Sequence, residues 1–332
     1  MAPHVSDLCL PVPSNQIGLV DLVVDASLSG TSPQGLVHEP DQLRRIHESS
    51  FETDLSKLKP KLRKILEEMR LGSVSKIDLS NPPISSKTDH IGDTGAIALA
   101  EALKVNFTVT HIDLGVNSIG AEGAIALAEA LKINSVVVMI NFWNNSIGDE
   151  GTIALAEALK VNSAISQISL WNNSIRQEGA IILAEELKVN KSVTQIDLGR
   201  NFTGNEGCVA LAEMLKVNST IVVLDLCLNF IGNEGAIALA ETLKINSTVT
   251  QITLRNNSIG HEGAIALAGA LKVNSTVARM SLCNNSLGSE GAIALVEALK
   301  MNSVVQLKLS CNFIDSDTKR LINSTTNDRI TC

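Results

Sequence analysis

Tyrosine is absent from this chain, tryptophan occurs twice, and aromatic residues make up 2% of its 332 positions. Large rings cannot supply the core. It has to come from Leu, Ile, Val and Ala within an apolar fraction of 45%, and such uniformity favours one packing solution used many times. Cysteine is sparse, six residues with no CxxC pair, which excludes a disulfide scaffold and leaves free thiols in a reducing compartment. A basic surplus is missing too: the net charge of −8 argues against a nucleic-acid-binding body. The start, "MAPHVSDLCLPVPSNQIGLVDLVVDASL", has no basic n-region, and Asp7, Asp21 and Asp25 interrupt its apolar runs. Neither a signal peptide nor a membrane span is predicted, so the expected setting is cytoplasmic, with no membrane partner.

Signatures of catalysis are lacking as well. The six histidines (His4, His38, His47, His90, His111, His261) fall at no metal-ligand spacing, and there is no GxSxG, HExxH, GxGxxG or P-loop. No catalytic residue, metal or cofactor is predicted, and the chain is not expected to be an enzyme.

What is present is a period. "VTHIDLGVNSIGAEGAIALAEALKINS" (109–135) returns as "VVMINFWNNSIGDEGTIALAEALKVNS" (137–163) and onward at 28-residue spacing to "VARMSLCNNSLGSEGAIALVEALKMNS" (277–303). Each unit joins a short alternating segment such as "HIDLGVN", a strand with Ile112 and Leu114 on one side, to "EGAIALAEALK". There Ala124, Leu127, Ala128 and Leu131 recur at helical spacing. Glutamate at the helix start and lysine at its end suit the helix dipole. Strand and helix repeating with short connections give parallel strands side by side. Strands are about 4.8 Å apart and helices about 8–10 Å, so the array curves, with its strands on the concave face. The asparagine column 117, 145, 173, 201, 229, 257, 285, 312 reads as a structural ladder satisfying backbone groups where the chain turns. Sequons at Asn218, Asn246 and Asn274 recur because the repeat recurs.

The pattern LxxLxLxxN, here "VTHIDLGVN" and "IVVLDLCLN", resembles the leucine-rich repeat. The longer LxxLxLxxNxIGxEGAxALAEALKxN is similar to the ribonuclease-inhibitor-like subclass found in Ran GTPase-activating proteins and CARD-type NOD-like receptors. The resemblance implies an α/β leucine-rich-repeat solenoid, a horseshoe with parallel strands on the concave face and helices on the convex face. About nine repeats are expected over 73–314, the first and last atypical, between an irregular arm (1–40), a helical cap (41–72) and a C-terminal cap or tail (315–332). In the cap, Leu55, Leu58, Leu62, Ile65, Leu66 and Met69 share one stripe, and Pro60 marks a break or helix start.

Function should reside where units differ, on strand positions facing away from the helices. One such column reads Gly115, Trp143, Trp171, Gly199, Cys227, Arg255, Cys283; the next contains Val116 and Arg200. All are expected to be exposed. Trp143 and Trp171 fall on adjacent strands, about 5 Å apart at the backbone. Two readings stay open: anchors for a partner, or rings that stack to stiffen the sheet. Arg200, Arg255, Arg279, Asn141, Asp197 and Asp225 complete the candidate partner-binding set, with Arg176, which replaces the glycine of "SIG", as a rim candidate. Phe202 and Phe230, 28 residues apart, are read as filling the turn together. The expected molecule is a monomeric, non-enzymatic module that binds a protein on its concave face. What the resemblance leaves open is a GTPase activator acting on a small GTPase, or an immune regulator of the NOD-like-receptor type lacking its nucleotide-binding domain.

Overall fold

The change of period within each unit becomes an alternation of strand and helix along the chain. A computed structural model describes residues 55–82, 89–325 and 329–331. The arm expected for 1–40 and the first part of the cap expected for 41–72 lie outside the described residues. Helix α1 spans Pro60–Arg70, with Pro60 in its first turn, where the missing N–H costs nothing. Ten strands follow: β1 Lys76–Asp78, β2 His111–Asp113, β3 Met139–Asn141, β4 Gln167–Ser169, β5 Gln195–Asp197, β6 Val223–Asp225, β7 Gln251–Thr253, β8 Arg279–Ser281, β9 Gln306–Lys308 and β10 Ile330–Thr331. Between them lie α2 Gly92–Val105, α3 Ala121–Ile133, α4 Gly148–Val161, α5 Gln177–Leu187, α6 Gly204–Val217, α7 Asn233–Leu243, α8 His261–Leu271, α9 Gly288–Met301 and α10 Ser316–Thr325.

The strands form one open parallel sheet in sequence order, in register so that Ile112, Ile140 and Ile168 are direct neighbours. These central residues are buried together with the helix faces, including Leu127, Leu131, Ala124 and Ala128. Strands are spaced more closely than helices, so the sheet lies on the inner, concave side. The fold is the leucine-rich-repeat solenoid.

Three ladders of polar side chains join the units. Asn145 donates its amide to Leu114 O and Phe142 O at 2.9 Å, and its Oδ1 accepts the N–H groups of Asn117 and Ile119 at 3.0 Å. Asn201, Asn257 and Asn312 repeat all four bonds, and Asn173, Asn229 and Asn285 keep the amide bond to the preceding strand, as the asparagine column predicts. A second ladder runs at the helix C-termini, where sequence reading saw only a helix end. Asn134 donates to Leu103 O (2.9 Å) and Asn106 O (2.8 Å) while accepting from Val136 N and Val137 N. Three of the sequon asparagines belong to it: Asn218, Asn246 and Asn274 are buried and donate their amides to Leu187 O, Leu215 O and Leu243 O. The nitrogen a glycan would need is already engaged.

The third ladder caps four of the helices from the unit before. Asp149 Oδ1 accepts Arg176 N (2.7 Å) and Gly179 N (3.1 Å) at the start of α5. Asp93, Asn205 and Asn233 serve Gly120, Gly232 and Gly260 in the same way. These four capped positions are extended, with φ between −94° and −102°. Where the preceding unit offers Ala121, Gln177 or His261 instead, the equivalent Gly148, Gly204 and Gly288 turn left-handed and donate to a backbone carbonyl. Arginine is tolerated at 176 because that unit has the extended form.

Both ends join this scheme. Met69 O in α1 accepts Asn106 Nδ2 at 2.9 Å, and Leu62, Ile65, Leu66 and Met69 are buried. Beyond residue 314, where the repeat pattern fades, the chain still forms α10 and pairs β10 with β9. Arg329 there donates to Leu299 O and Asn302 O, the carbonyls that one more ladder asparagine would take.

Candidate partner-binding surface

The sheet face away from the helices begins with a column of short polar residues. Oδ1 of Asp113, Asn141, Asp197 and Asp225 accepts the N–H two residues on, at 2.8–3.1 Å. Asn141, Asp197 and Asp225 therefore each close a strand end before they offer anything to a partner. Asn141 also donates to Asp113 Oδ2 at 3.2 Å, and Ser169 donates to Asp197 Oδ2 at 3.1 Å.

Asp197 and Asp225 are direct neighbours in register, two acids with no amide between them. Burial, and then the adjacent Asp225 charge, pushes Asp197 up to about 7. Burial also raises Asp225, against the hydrogen bond from Cys227 N and the positive charge of Arg255. Asp113 is raised by burial, opposed by its bond from Gly115 N.

The next column holds the tryptophans. Both are partly exposed and neither belongs to the apolar core. Their ring centroids are 6.4 Å apart at an interplanar angle of 58°. Each indole leans over a glycine on its outer side: a Cβ on Gly115 would lie 1.8 Å from Trp143 Nε1, and one on Gly199 would lie 2.4 Å from Trp171 Cδ1 and 2.8 Å from Cys227 Sγ. The missing Cβ at each glycine leaves the space that the neighbouring indole occupies. Arg200 completes the group, its Cζ 5.4 Å from the Trp171 ring centroid, a cation–π contact. Arg200 has φ 53°, as its column does throughout. Asparagine occupies four of those positions and suits that conformation; arginine does not. Backbone geometry thus does not explain its choice.

The remaining candidates lie farther along or outside this group. Arg255 is partly exposed and sits next to Cys227 in the same column, on β7's end. Arg279 is exposed and donates its Nε to Gln251 Oε1 at 3.1 Å. Arg176 stands apart on the rim, beside Phe202.

Three expectations are corrected. Gly115 and Gly199 are buried rather than exposed because indoles cover them, and Cys227 is only 5% exposed because it is wedged beside Trp171 over Gly199. Val116 is 3% exposed: strict alternation holds for extended backbone, and at φ 56° this residue has left the strand. Phe202 and Phe230 do not fill the turn; they are 53% and 65% exposed. Sequence reasoning also missed the glycine platform, whose signal was glycine on either side of the tryptophans in their own column. Among the described residues no group of three or more His, Cys, Asp or Glu could hold a metal ion, and no helix is long and apolar enough to cross a membrane.

The leucine-rich-repeat family pattern matches residues 105–128, 217–240 and 246–268. No curated protein sequence matches the chain. Among solved structures, one described as leiomodin-1 actin-binding site 2 is similar over 53% of this chain and 93% of its own, with 23% identity and a TM-score of 0.41. The tropomodulin C-terminal domain of Caenorhabditis elegans is similar over 46% of this chain and 92% of its own, with 21% identity and a TM-score of 0.40.

Proposed function

We propose that this leucine-rich-repeat chain is a non-enzymatic module that captures a protein partner on the concave sheet face. The observation that carries the reading is the pair of indoles lying on the sheet, outside the core, with a glycine cleared on each side. Contact with each other and with Arg200 orders the rings before any partner arrives. Pre-ordered aromatic anchors lose little freedom on binding. Arg200, Arg255 and Arg279 act as polar selectors around them. The acids Asp113, Asp197 and Asp225 belong to the units of β2, β5 and β6, while Arg255, Arg279 and Lys308 belong to those of β7, β8 and β9. A partner with the opposite gradient is thereby oriented on encounter. A helix in every unit supports a place in the ribonuclease-inhibitor-like subclass.

The test is capture from cell extract by the parent chain and by W143A/W171A, with melting curves for both. Loss of about 2 kcal/mol or more, roughly 30-fold, is expected for a partner anchored on these rings. Equal capture by a folded double variant would remove the assignment.

A further inference from the structure

The position after each ladder asparagine in the strand-to-helix turn is serine in five units (118, 146, 174, 258, 286) and phenylalanine in three (202, 230, 313). Phe202 and Phe230 stack nearly parallel, with centroids 5.6 Å apart at 9°, and over half of each side chain faces solvent. Phe230 also holds φ 59°, a conformation that is costly for a bulky residue. Ser174 adopts the same conformation one position from its own ladder asparagine. Serine would therefore serve at 230 without exposing a ring, and the scaffold does not account for the aromatic pair.

The surroundings of the stack are chemically specific. A cavity of ≈ 460 Å³ beside Phe202 is lined by Asp149, Arg176, Gln177 and Glu178. The exposed carboxylates of Glu150, Glu178, Glu206 and Glu234 follow one another along this rim, one per helix start, and none forms a salt bridge among the described residues. The opposite helix ends differ: there Glu129, Glu185 and Glu213 pair with Lys132, Lys188 and Lys216 at 2.5–2.7 Å. Helix dipoles alone account for acids at helix starts. They do not account for a solvent-facing phenyl stack set among them.

We infer that this rim is a second docking surface, separate from the sheet face, for a basic partner segment that carries an apolar or aromatic side chain between its cations. The phenyl pair supplies a flat apolar platform, and the unpaired carboxylates supply complementary charge for lysine or arginine on either side. Arg176 offers donors to a main-chain carbonyl at the cavity.

The probe is a fluorescein-labelled peptide of alternating lysine and phenylalanine, titrated with the full chain, against a control peptide with glutamate in place of lysine. The lysine peptide is expected to bind, more weakly as salt rises, and the glutamate peptide is not. F202S/F230S, which installs the serine native to five units, should weaken binding tenfold or more while melting like the parent. E178Q/E206Q should reduce the salt dependence, and W143A/W171A should bind as the parent does. Equal binding of the two peptides, no binding of either, or parent-like affinity in F202S/F230S would overturn the inference. Loss of binding in W143A/W171A would do so as well, by moving the peptide to the sheet face; that outcome leaves the concave-face proposal standing.

Discussion

Asp197 and Asp225 show how one residue choice departs from its own repeat. In the equivalent pair, Asn141 donates an amide proton to Asp113, whereas Asp197 meets Asp225 as acid against acid. Because Asp197 is raised to about 7 from an ordinary value near 3.8, the folded state holds a proton that the unfolded chain has released. Stability from this group is fully present below about pH 4 and is lost as pH rises through about 7. Replacing Asp197 by Asn keeps the acceptor for Gly199 N, turns the atom that accepts from Ser169 Oγ into a donor toward that hydroxyl, as Asn141 donates toward its own preceding strand, and removes the charge beside Asp225. D197N should melt at a higher temperature than the parent at pH 8, with a flatter pH profile between 4 and 8. A profile as steep as the parent's would remove the acid pair as its cause. Thr203 is a second departure: it replaces the isoleucine of most units, and its buried Oγ1 has no hydrogen-bond partner. Nothing in the structure explains that substitution.

At the level of elements, the strand, helix and first ladder were readable because their signals are periodic. Ile112 and Leu114 alternate, Leu127 and Leu131 fall four apart, and an asparagine follows each strand from β1 to β9. The last rung was not readable, because Arg329 replaces an asparagine outside the repeat pattern. Its guanidinium closes the carbonyl end of α9 through Leu299 O and Asn302 O. Charged hydrogen bonds of this kind contribute about 1.5–3 kcal/mol. R329A should therefore lower stability by about that amount, with faster amide exchange at the end of α9 and in β9. In a quasi-one-dimensional array the effect should fade within a few units and leave α3 to α5 unchanged. Exchange that rises evenly along all units would contradict the local role.

For the whole molecule, the repeat explains the solenoid and most of what each unit has in common. The 28-residue period sets the register that makes Trp143 and Trp171 neighbours. It does not dictate tryptophan. Their columnar position was legible from sequence, but the ring placement was not, because it depends on two glycines on the outer strands. Likewise, Phe202 and Phe230 could be paired from their spacing, whereas their exposure is decided by how the turn leaves the core. Framework positions were thus easier to read than the surface, where contacts cross between units.

Trp143 and Trp171 are the only tryptophans and tyrosine is absent, so indole emission reports on the concave face alone. The direct measurement is acrylamide quenching of that emission with and without a captured partner that has itself been made free of tryptophan. If the sheet face is the binding surface, the quenching constant should fall severalfold as the partner saturates, along the same curve as binding. Saturated binding with unchanged quenching would contradict the proposal.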